Sequence, residues 1–538
     1  MAGEARRRNI RQGKPNNLME KEFNTEGACN PALHYMADVS AKFKAIMRLV
    51  ELGKYFTINR PRQYGKTTML FRLTEALKKR EGYAVFRISF EGVGDAVFES
   101  ESTLAPMFFR RLAQYMQNHD KTLAEYIQAA SLRLDSMETL SHAITDLVVY
   151  TGKRVVLFID EVDKSSSNQL FISFLGILRD KYLERSESPT FHSVVLTGVH
   201  DVKTLKLKLR PDEEKKYNSP WNIAADFKVD MNLQPQEIKP MLEEYAQDRD
   251  VAMDAAAVAE RLFFYTSGYP FLVSKLCKIF DEELLPEKTD KTWTAHDVDL
   301  AASLLVREDN PNFQELTKIL EHNRPLYELT KSLVINEQSY PFDLREPLTN
   351  LGVIYGFFTD RNGLAIHNRI YHEVIDSYMT TSLLVQNLQL PRSEYAGNYL
   401  LPGNRLDVKK ALLKFQELMK AEHHKDNGKL LEREGRLVFL AFLKPILNGH
   451  GYAFKEPQTS EEKRLDVLVT YYQHQYVIEL KLWYGQTAHE AGLDQLADYL
   501  DRLGLDEGFL LIFDPRVKKE WKQQDIPHRG KRIFAVWV

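Results

Sequence analysis

Apolar residues along the chain switch repeatedly between helical spacing and short continuous runs. SAKFKAIMRLVELGK (40–54) sets Phe43, Ile46, Met47, Val50 and Leu52 on one helical face, and Gly53 is a helix stop. The β-branched and aromatic run Tyr55 to Ile58 follows at once, then a turn rich in Arg and Pro. Gly65-Lys66-Thr67-Thr68 next opens a helical pattern carrying Met69, Leu70 and Leu73. AVFRISF (84–90) predicts a short strand, and residues 101 to 150 read as helices with polar breaks. Thr151 to Arg154 turns the chain into Val155 to Ile159, VVLFI, which ends in Asp160-Glu161-Val162-Asp163. A continuous apolar run of this kind predicts a strand buried on both faces, as in a parallel sheet. SVVL (193–196), ending at Thr197, predicts one more.

The pattern then changes. Residues 201–224 are charged and read as an irregular loop in which Arg210 is one candidate arginine finger among many surface arginines. Residues 236–301 read as helices broken at Gly268-Tyr269-Pro270. NFQELTKILEHN, RPLYELTKSLVI and DLREPLTNLGVI predict three helices. Asn362-Gly363, between the apolar runs 354–358 and 364–367, predicts a hairpin. Three helices and a hairpin describe a winged helix. LREPLTNLG carries one Arg and one Glu, so packing is favoured over DNA binding. A polar linker with Pro391, Pro402 and Gly403 leads to helices over 407–421 and 430–447. The strands RLDVLVTYY (464–472) and YVIELKLW (476–483), the helix HEAGLDQLADYLDRLG, and the strands FLLIF (509–513) and RIFAVWV (532–538) complete a second α/β order.

A chain of 538 residues has room for about three to four domains. Its net charge of −3 gives no overall basic field, so any nucleic-acid surface must be local. Cys29 and Cys277 build no disulfide framework and lack metal-ligand spacing, which points to a reducing, cytoplasmic setting. No apolar run approaches the roughly 20 residues of a membrane helix, and no signal-peptide core is present. The basic, polar start ARRRNIRQGKPNN reads as a disordered tail, with phosphate contact as the alternative.

The turn after the first strand has the order a phosphate-binding loop needs. N–H groups at a helix N-terminus face an anion, Lys66 adds a point charge, and Thr67 offers a hydroxyl to Mg²⁺. Five residues before Gly65, where Gly is usual, stands Arg60. A GKT tripeptide also arises by chance, so the downstream acids decide. Asp160 is suited to hold Mg²⁺ through water and Glu161 to polarise an attacking water. Thr197 is suited to sense a γ-phosphate, although strand capping would look the same.

A second carboxylate group lies near the C-terminus. Glu479 and Lys481 are two apart on a strand and share a face. If the hairpin turns at Gln473-His474, partners sum to 947 and Asp466 faces Lys481; an odd-length turn sends Asp466 to the other side. Two carboxylates and a carbonyl suit Mg²⁺ or Mn²⁺, with Lys481 activating water in phosphodiester hydrolysis. Glu434 would complete the metal shell, and Gln495 would orient water or a backbone phosphate. The bland reading is a solvent-facing Lys–Glu pair. Against it, Val477, Ile478, Leu480 and Leu482 surround the pair, and burying charge without partners is costly.

With FNTEGACNPALHYM, INRPRQYGKTTML, VVLFIDEVDK, LTGVHDVK and TSGYPFL, residues 20 to 280 resemble the bacterial AAA-ATPase-like proteins. That family carries RPR-x-[YF]-GK, which makes Arg60 its own variant and implies an ATP site over Arg62, Gln63, Tyr64, Gly65, Lys66, Thr67 and Thr68. Residues 430 to 538 resemble the PD-(D/E)XK nuclease superfamily through Glu434, Asp466, Glu479-x-Lys481 and Gln495. A looser similarity to STAND ATPases implies that Gly268-Tyr269-Pro270 and Ile366-His367-Asn368 bring Pro270 and His367 to the nucleotide. Asn368 stands there where Asp is usual.

The resemblances imply a multidomain α/β protein: a basic tail (1–19), a P-loop AAA-like core with a parallel sheet (20–235) and a helical lid (236–305). A winged-helix domain (306–382), a linker (383–407) and a restriction-endonuclease-like domain (408–538) follow. The function expected is an ATP-regulated, Mg²⁺-dependent nuclease acting on nucleic acid, DNA first, as a homo-oligomer. By analogy, phage defence or mobile-element control would suit it. The alternative is a nucleotide switch binding partners or DNA, with a nuclease-like domain that no longer cuts.

Overall fold

The computed structural model describes residues 20–162, 169–198, 221, 223–335, 338–387, 399–403, 405–423, 438–440, 442–443, 446–447, 451–454, 467–471, 474–483, 486–514, 516 and 519–538. Contacts divide the chain into two units, Met1–Leu305 with Phe342–Arg369, and Val306–Pro341 with Ile370–Val538. The span expected to be one winged-helix domain is therefore shared between them.

In the first unit, helix α1 (Ser40–Glu51) leads into strand β1 (Tyr55–Asn59), and helix α2 (Lys66–Lys78) follows the turn. Strands β2 (Tyr83–Ser89), β3 (Arg154–Asp160) and β4 (Ser193–Gly198) complete a four-stranded sheet of order β1-β4-β3-β2. Every pairing in it is parallel. All four predicted strands are present, with ends that differ from expectation by a residue or two. Helices α3 (Glu101–Met116), α4 (Lys121–Ser131), α5 (Met137–Thr151) and α6 (Gln169–Leu183) supply the apolar cover. Phe108, Leu112, Leu140, Ile144 and Phe174 join Phe86, Leu157 and Leu196 in one core. Each such side chain, fully buried, contributes about 1.5–3 kcal/mol. The helix ends are written locally: Asp120 accepts from the Leu123 N–H, Ser136 and Thr139 form a capping box, and Gly152 closes α5 at φ 60°.

After the sheet come helices Pro235–Arg249, Ala255–Thr266, Pro270–Ile279 and Ala295–Arg307, with the short pair β5 (Ala252–Met253) and β6 (Thr292–Trp293). Ser267 and Gly268 are both left-handed, at φ 49° and 75°. A Cβ on Gly268 would stand 2.1 Å from the Leu233 carbonyl oxygen, so this junction admits only glycine. Helix Pro347–Ile354 and the hairpin of β7 (Phe358–Asp360) and β8 (Leu364–Ile366) complete the unit. The Asn362-Gly363 turn is where the sequence put it, with Asn362 at φ 58°.

The second unit holds helices Pro311–His322 and Arg324–Val334 and the short pair β9 (Leu400–Leu401) and β10 (Arg405–Leu406). Its main feature is a six-stranded mixed sheet of β11 (Gly451–Phe454), β12 (Val467–Tyr471), β13 (His474–Leu482), β14 (Glu507–Phe513), β15 (Gln523–His528) and β16 (Lys531–Trp537). The order is β11-β12-β13-β14-β16-β15, with β13, β14 and β16 parallel and the other pairings antiparallel. One core joins Phe415 of the helix Val408–His423 and Phe439 to Ile478, Leu511 and Val536. Another joins Leu493, Leu496 and Leu500 of the helix Gln486–Leu503 to Val477, Leu510 and Ala535. The sequence reading missed the two edge strands. Among the described residues both have a neighbour on one side only, and β15 carries Pro527, which an edge tolerates. Among the described residues no helix is long and apolar enough to cross a membrane.

Candidate active sites

The turn between β1 and α2 is built on two left-handed residues, Gln63 at φ 56° and Gly65 at φ 75°. No side chain caps α2, whose N-cap is Gly65. Arg60 is not left-handed, so glycine is not needed there. Its guanidinium donates to the Asn59 and Val229 carbonyls at 2.7 and 2.9 Å and lies 5.4 Å from the Phe227 ring centre. Burial pushes its pKa down. Lys66 is buried, and its Nζ donates to the carbonyls of Arg60 and Pro61, each at 2.8 Å.

Three elements meet beside the loop. Asp160, 6% exposed at the end of β3, accepts from the Thr67 hydroxyl at 2.8 Å through Oδ2. Its Oδ1 accepts from the Thr197 hydroxyl near the end of β4 and from the Glu161 N–H at 3.1 Å. The structure thus brings Thr67, Asp160 and Thr197 together, with Lys66 beside Thr67 at the start of α2. Glu161 follows at φ 55°, and Asp163, like Arg210, lies outside the described residues. Thr68 turns elsewhere: its hydroxyl accepts from the Cys29 N–H at 3.0 Å. The set fits Mg²⁺-nucleotide, because an uncapped helix N-terminus, an ammonium and a paired hydroxyl and carboxylate converge on one loop.

The loop is held from its other side by an aromatic cluster. The Tyr269 hydroxyl donates to the Arg62 carbonyl at 2.6 Å, and its ring lies 4.5 Å from Tyr64. The Tyr64 hydroxyl meets His367 Nε2 at 3.0 Å and donates to Asn232 Oδ1. Burial pushes the His367 imidazole down to about 4, and the Arg361 charge adds to the effect. Gly356, at φ 78°, lets the hairpin segment approach Pro61; a Cβ there would lie 2.8 Å from the Pro61 ring. The loop contact of the Gly268-Tyr269-Pro270 turn is thus made by Tyr269, while Pro270 starts the following helix. Tyr269, Asn232 and Gly356 are site residues that sequence reasoning missed. Tyr269 was signalled by its place in the turn; the other two carried no signal.

In the second unit, Glu479 on β13 is fully buried and pairs with Lys481, Nζ to Oε1 at 2.8 Å. Lys481 also donates to Gln495 Oε1 at 3.2 Å, from the helix Gln486–Leu503. Gly492 packs against the lysine stem, where a Cβ would meet Lys481 Cε at 3.4 Å, an ordinary contact. Glu479, Lys481 and Gln495 are thus in contact, while the expected convergence of Asp466 with Glu479 and Lys481 involves a residue outside the described ones. Asp466 and Glu434 lie outside the described residues. The strand register differs from expectation. Tyr471 pairs with His474 and Val467 with Ile478, so partners sum to 945 rather than 947. The last pair before the connection, Tyr471 with His474, keeps the parity that convergence requires. Among the described residues no group of three or more His, Cys, Asp or Glu side chains could hold a metal ion.

Comparison with known proteins places a family on the first unit. Residues 29–292 match the AAA-like domain family, so this stretch is an AAA-like domain. Similar solved structures include the Walker-type ATPase PABY2304 of Pyrococcus abyssi, at 11% identity and a TM-score of 0.43, covering 66% of this chain and 99% of that one. The ORC2 protein of Aeropyrum pernix, in ADPNP-ADP complexes, is similar at 14% identity and a TM-score of 0.37, with 67% and 98% coverage. A RuvB variant of Thermotoga maritima is similar at 15% identity and a TM-score of 0.32, with 66% and 97% coverage. No curated protein matches the chain.

Proposed function

We propose that the first unit binds and hydrolyses ATP and that its nucleotide state regulates metal-dependent cleavage of nucleic acid, DNA first, by the second unit. The observation that carries the ATPase reading is the hydrogen-bonded set Thr67–Asp160–Thr197 beside Lys66 and the N-terminus of α2. Lys66 exchanges its loop carbonyls for phosphate oxygens. Thr67 and Asp160 would hold Mg²⁺, which neutralises phosphate charge when bound. Glu161 orients the attacking water, and Thr197 reports the γ-phosphate through Asp160. A homo-oligomer suits both resemblances.

The nuclease reading rests on Glu479. A fully buried carboxylate held by Lys481, itself tied to Gln495, is costly as mere structure and suited to metal-assisted hydrolysis. Lys481 would stabilise charge on the phosphorus centre, with Glu479 and Asp466 as metal ligands and Glu434 beside them.

Calorimetric ATP binding and phosphate release test the first half. Lys66→Ala should weaken binding about thirtyfold or more, as for truncating a charged, hydrogen-bonded partner. Unchanged binding and hydrolysis would refute the ATP site. Cleavage of DNA with Mg²⁺ or Mn²⁺ tests the second half. Loss in Lys481→Met and in Asp466→Ala supports it, whereas cleavage indifferent to both removes the nuclease. Cleavage that needs Lys481 but ignores ATP and Lys66→Ala removes the regulation alone.

A further inference from the structure

The first unit carries a second concave site that shares no residue with the nucleotide loop. It is a cavity of about 640 Å³ between the helix Ala255–Thr266, the start of the helix Ala295–Arg307, the β7–β8 turn and Arg369. Three guanidinium groups line it: Arg261, Arg361 and Arg369. Phe264, 38% exposed, lies between two of them, with Arg369 Cζ 3.6 Å and Arg261 Cζ 4.4 Å from its ring centre. Asp299 takes the Nε edge of Arg261 at 2.6 Å. Glu260 is the one acid among the described lining residues, and it is exposed.

Arg361 is the informative member. It projects from the hairpin turn and spends its Nη2 on two neutral acceptors, the Ser267 hydroxyl at 2.5 Å and the His367 carbonyl at 3.0 Å. Among the described residues it makes no ion pair, and burial pushes its pKa down. Three guanidinium groups share this concavity, and of them Arg261 is paired with Asp299. A structural role would be served by a carboxylate, as Arg261 shows with Asp299. What fits instead is an external multivalent anion, for which the planar guanidinium offers paired donors.

We propose that this cavity binds a phosphoryl group, with Arg361 as its central ligand and Arg261 and Arg369 beside it, as an effector site separate from the nucleotide site. Its occupant would have a short route to the nucleotide loop. Arg361 holds Ser267, which adjoins Gly268 and Tyr269, and Tyr269 holds the Arg62 carbonyl. Arg361 also holds the carbonyl of His367, whose imidazole meets Tyr64. The phosphoryl group could belong to a free nucleotide or polyphosphate, or to a nucleic-acid backbone.

The test uses the full chain carrying Lys66→Ala, which removes the loop lysine from the measurement. Binding of pyrophosphate and of a short single-stranded oligodeoxynucleotide is measured by calorimetry, before and after adding Arg361→Gln or Arg369→Gln. Losing one charge-assisted contact should weaken binding about tenfold to a hundredfold. Arg361→Lys, which keeps the charge but not the fork, should recover part of it, and the melting temperature of each variant reports folding. Tighter binding of pyrophosphate identifies a small phosphate ligand, and tighter binding of the oligonucleotide identifies a backbone. Absence of binding by either probe, or binding unchanged in folded Arg361→Gln and Arg369→Gln variants, overturns the proposal.

Discussion

Tyr64 and His367 stand 303 positions apart in the sequence and meet at 3.0 Å beside the phosphate loop. The imidazole is 7% exposed, so its charged form lacks water, and Arg361 makes protonation harder still. Asp230 acts in the opposite sense but more weakly. With a folded pKa near 4 against about 6.5 unfolded, the unfolded chain holds the extra proton between these values. Stability from this group is complete above pH 6.5 and is lost as pH falls toward 4, by up to about 3 kcal/mol. Urea unfolding from pH 7 to 4 should therefore show a flatter acid limb in His367→Phe than in the parent. Parallel limbs would remove the assignment. At this scale Gly65-Lys66-Thr67 and Asp160 were legible, because residue type fixes their chemistry. The place of Arg60 was legible only through family resemblance. Its physical reason is that Gln63, rather than residue 60, takes a left-handed turn, and nothing in the residue types records that.

Elements were legible where a strand is buried on both faces or a helix carries its own caps, as β3 and α5 show. They were not legible at the rims, where β11 and the polar β15 depend on a neighbour for their hydrogen bonds. The hairpin β12–β13 lies between these cases: its strands were read and the parity of its connection left open, and the register supposed for it was two off. Junctions carry the stricter prediction. Gly268 sits at φ 75° with the Leu233 carbonyl where a Cβ would go, and the Leu233 N–H donates to the Gly268 carbonyl at 2.7 Å. A left-handed alanine alone costs about 1–2 kcal/mol, and the backbone clash adds to it. Gly268→Ala should lower unfolding free energy by more than about 2 kcal/mol in chemical denaturation and loosen the Tyr269 hold on the loop. An alanine variant as stable as the parent would show that the junction relaxes freely.

For the whole molecule, the boundaries were the least legible feature, because contacts rather than periodicity set them. The hairpin half of the expected winged helix belongs with the nucleotide loop, where Gly356 seats against Pro61 and His367 against Tyr64. A hairpin signal in sequence identifies the turn and leaves its partner open. The two units have separate apolar cores, so each has its own reason to unfold cooperatively. That separation makes regulation measurable by calorimetry. A ligand that binds only the native state stabilises it by about 2.7 kcal/mol at a hundredfold excess over Kd. Mg²⁺-ATP should raise the melting transition of the first unit, and Lys66→Ala should abolish that rise. If nucleotide state regulates the second unit, ATP must also change its free energy, since a ligand acts on a distant site only through a coupling free energy. The expected outcome is that both transitions move with ATP and neither moves in Lys66→Ala. A first transition that rises while the second stays fixed would leave an ATP-binding unit intact and remove its control over the Glu479–Lys481 site.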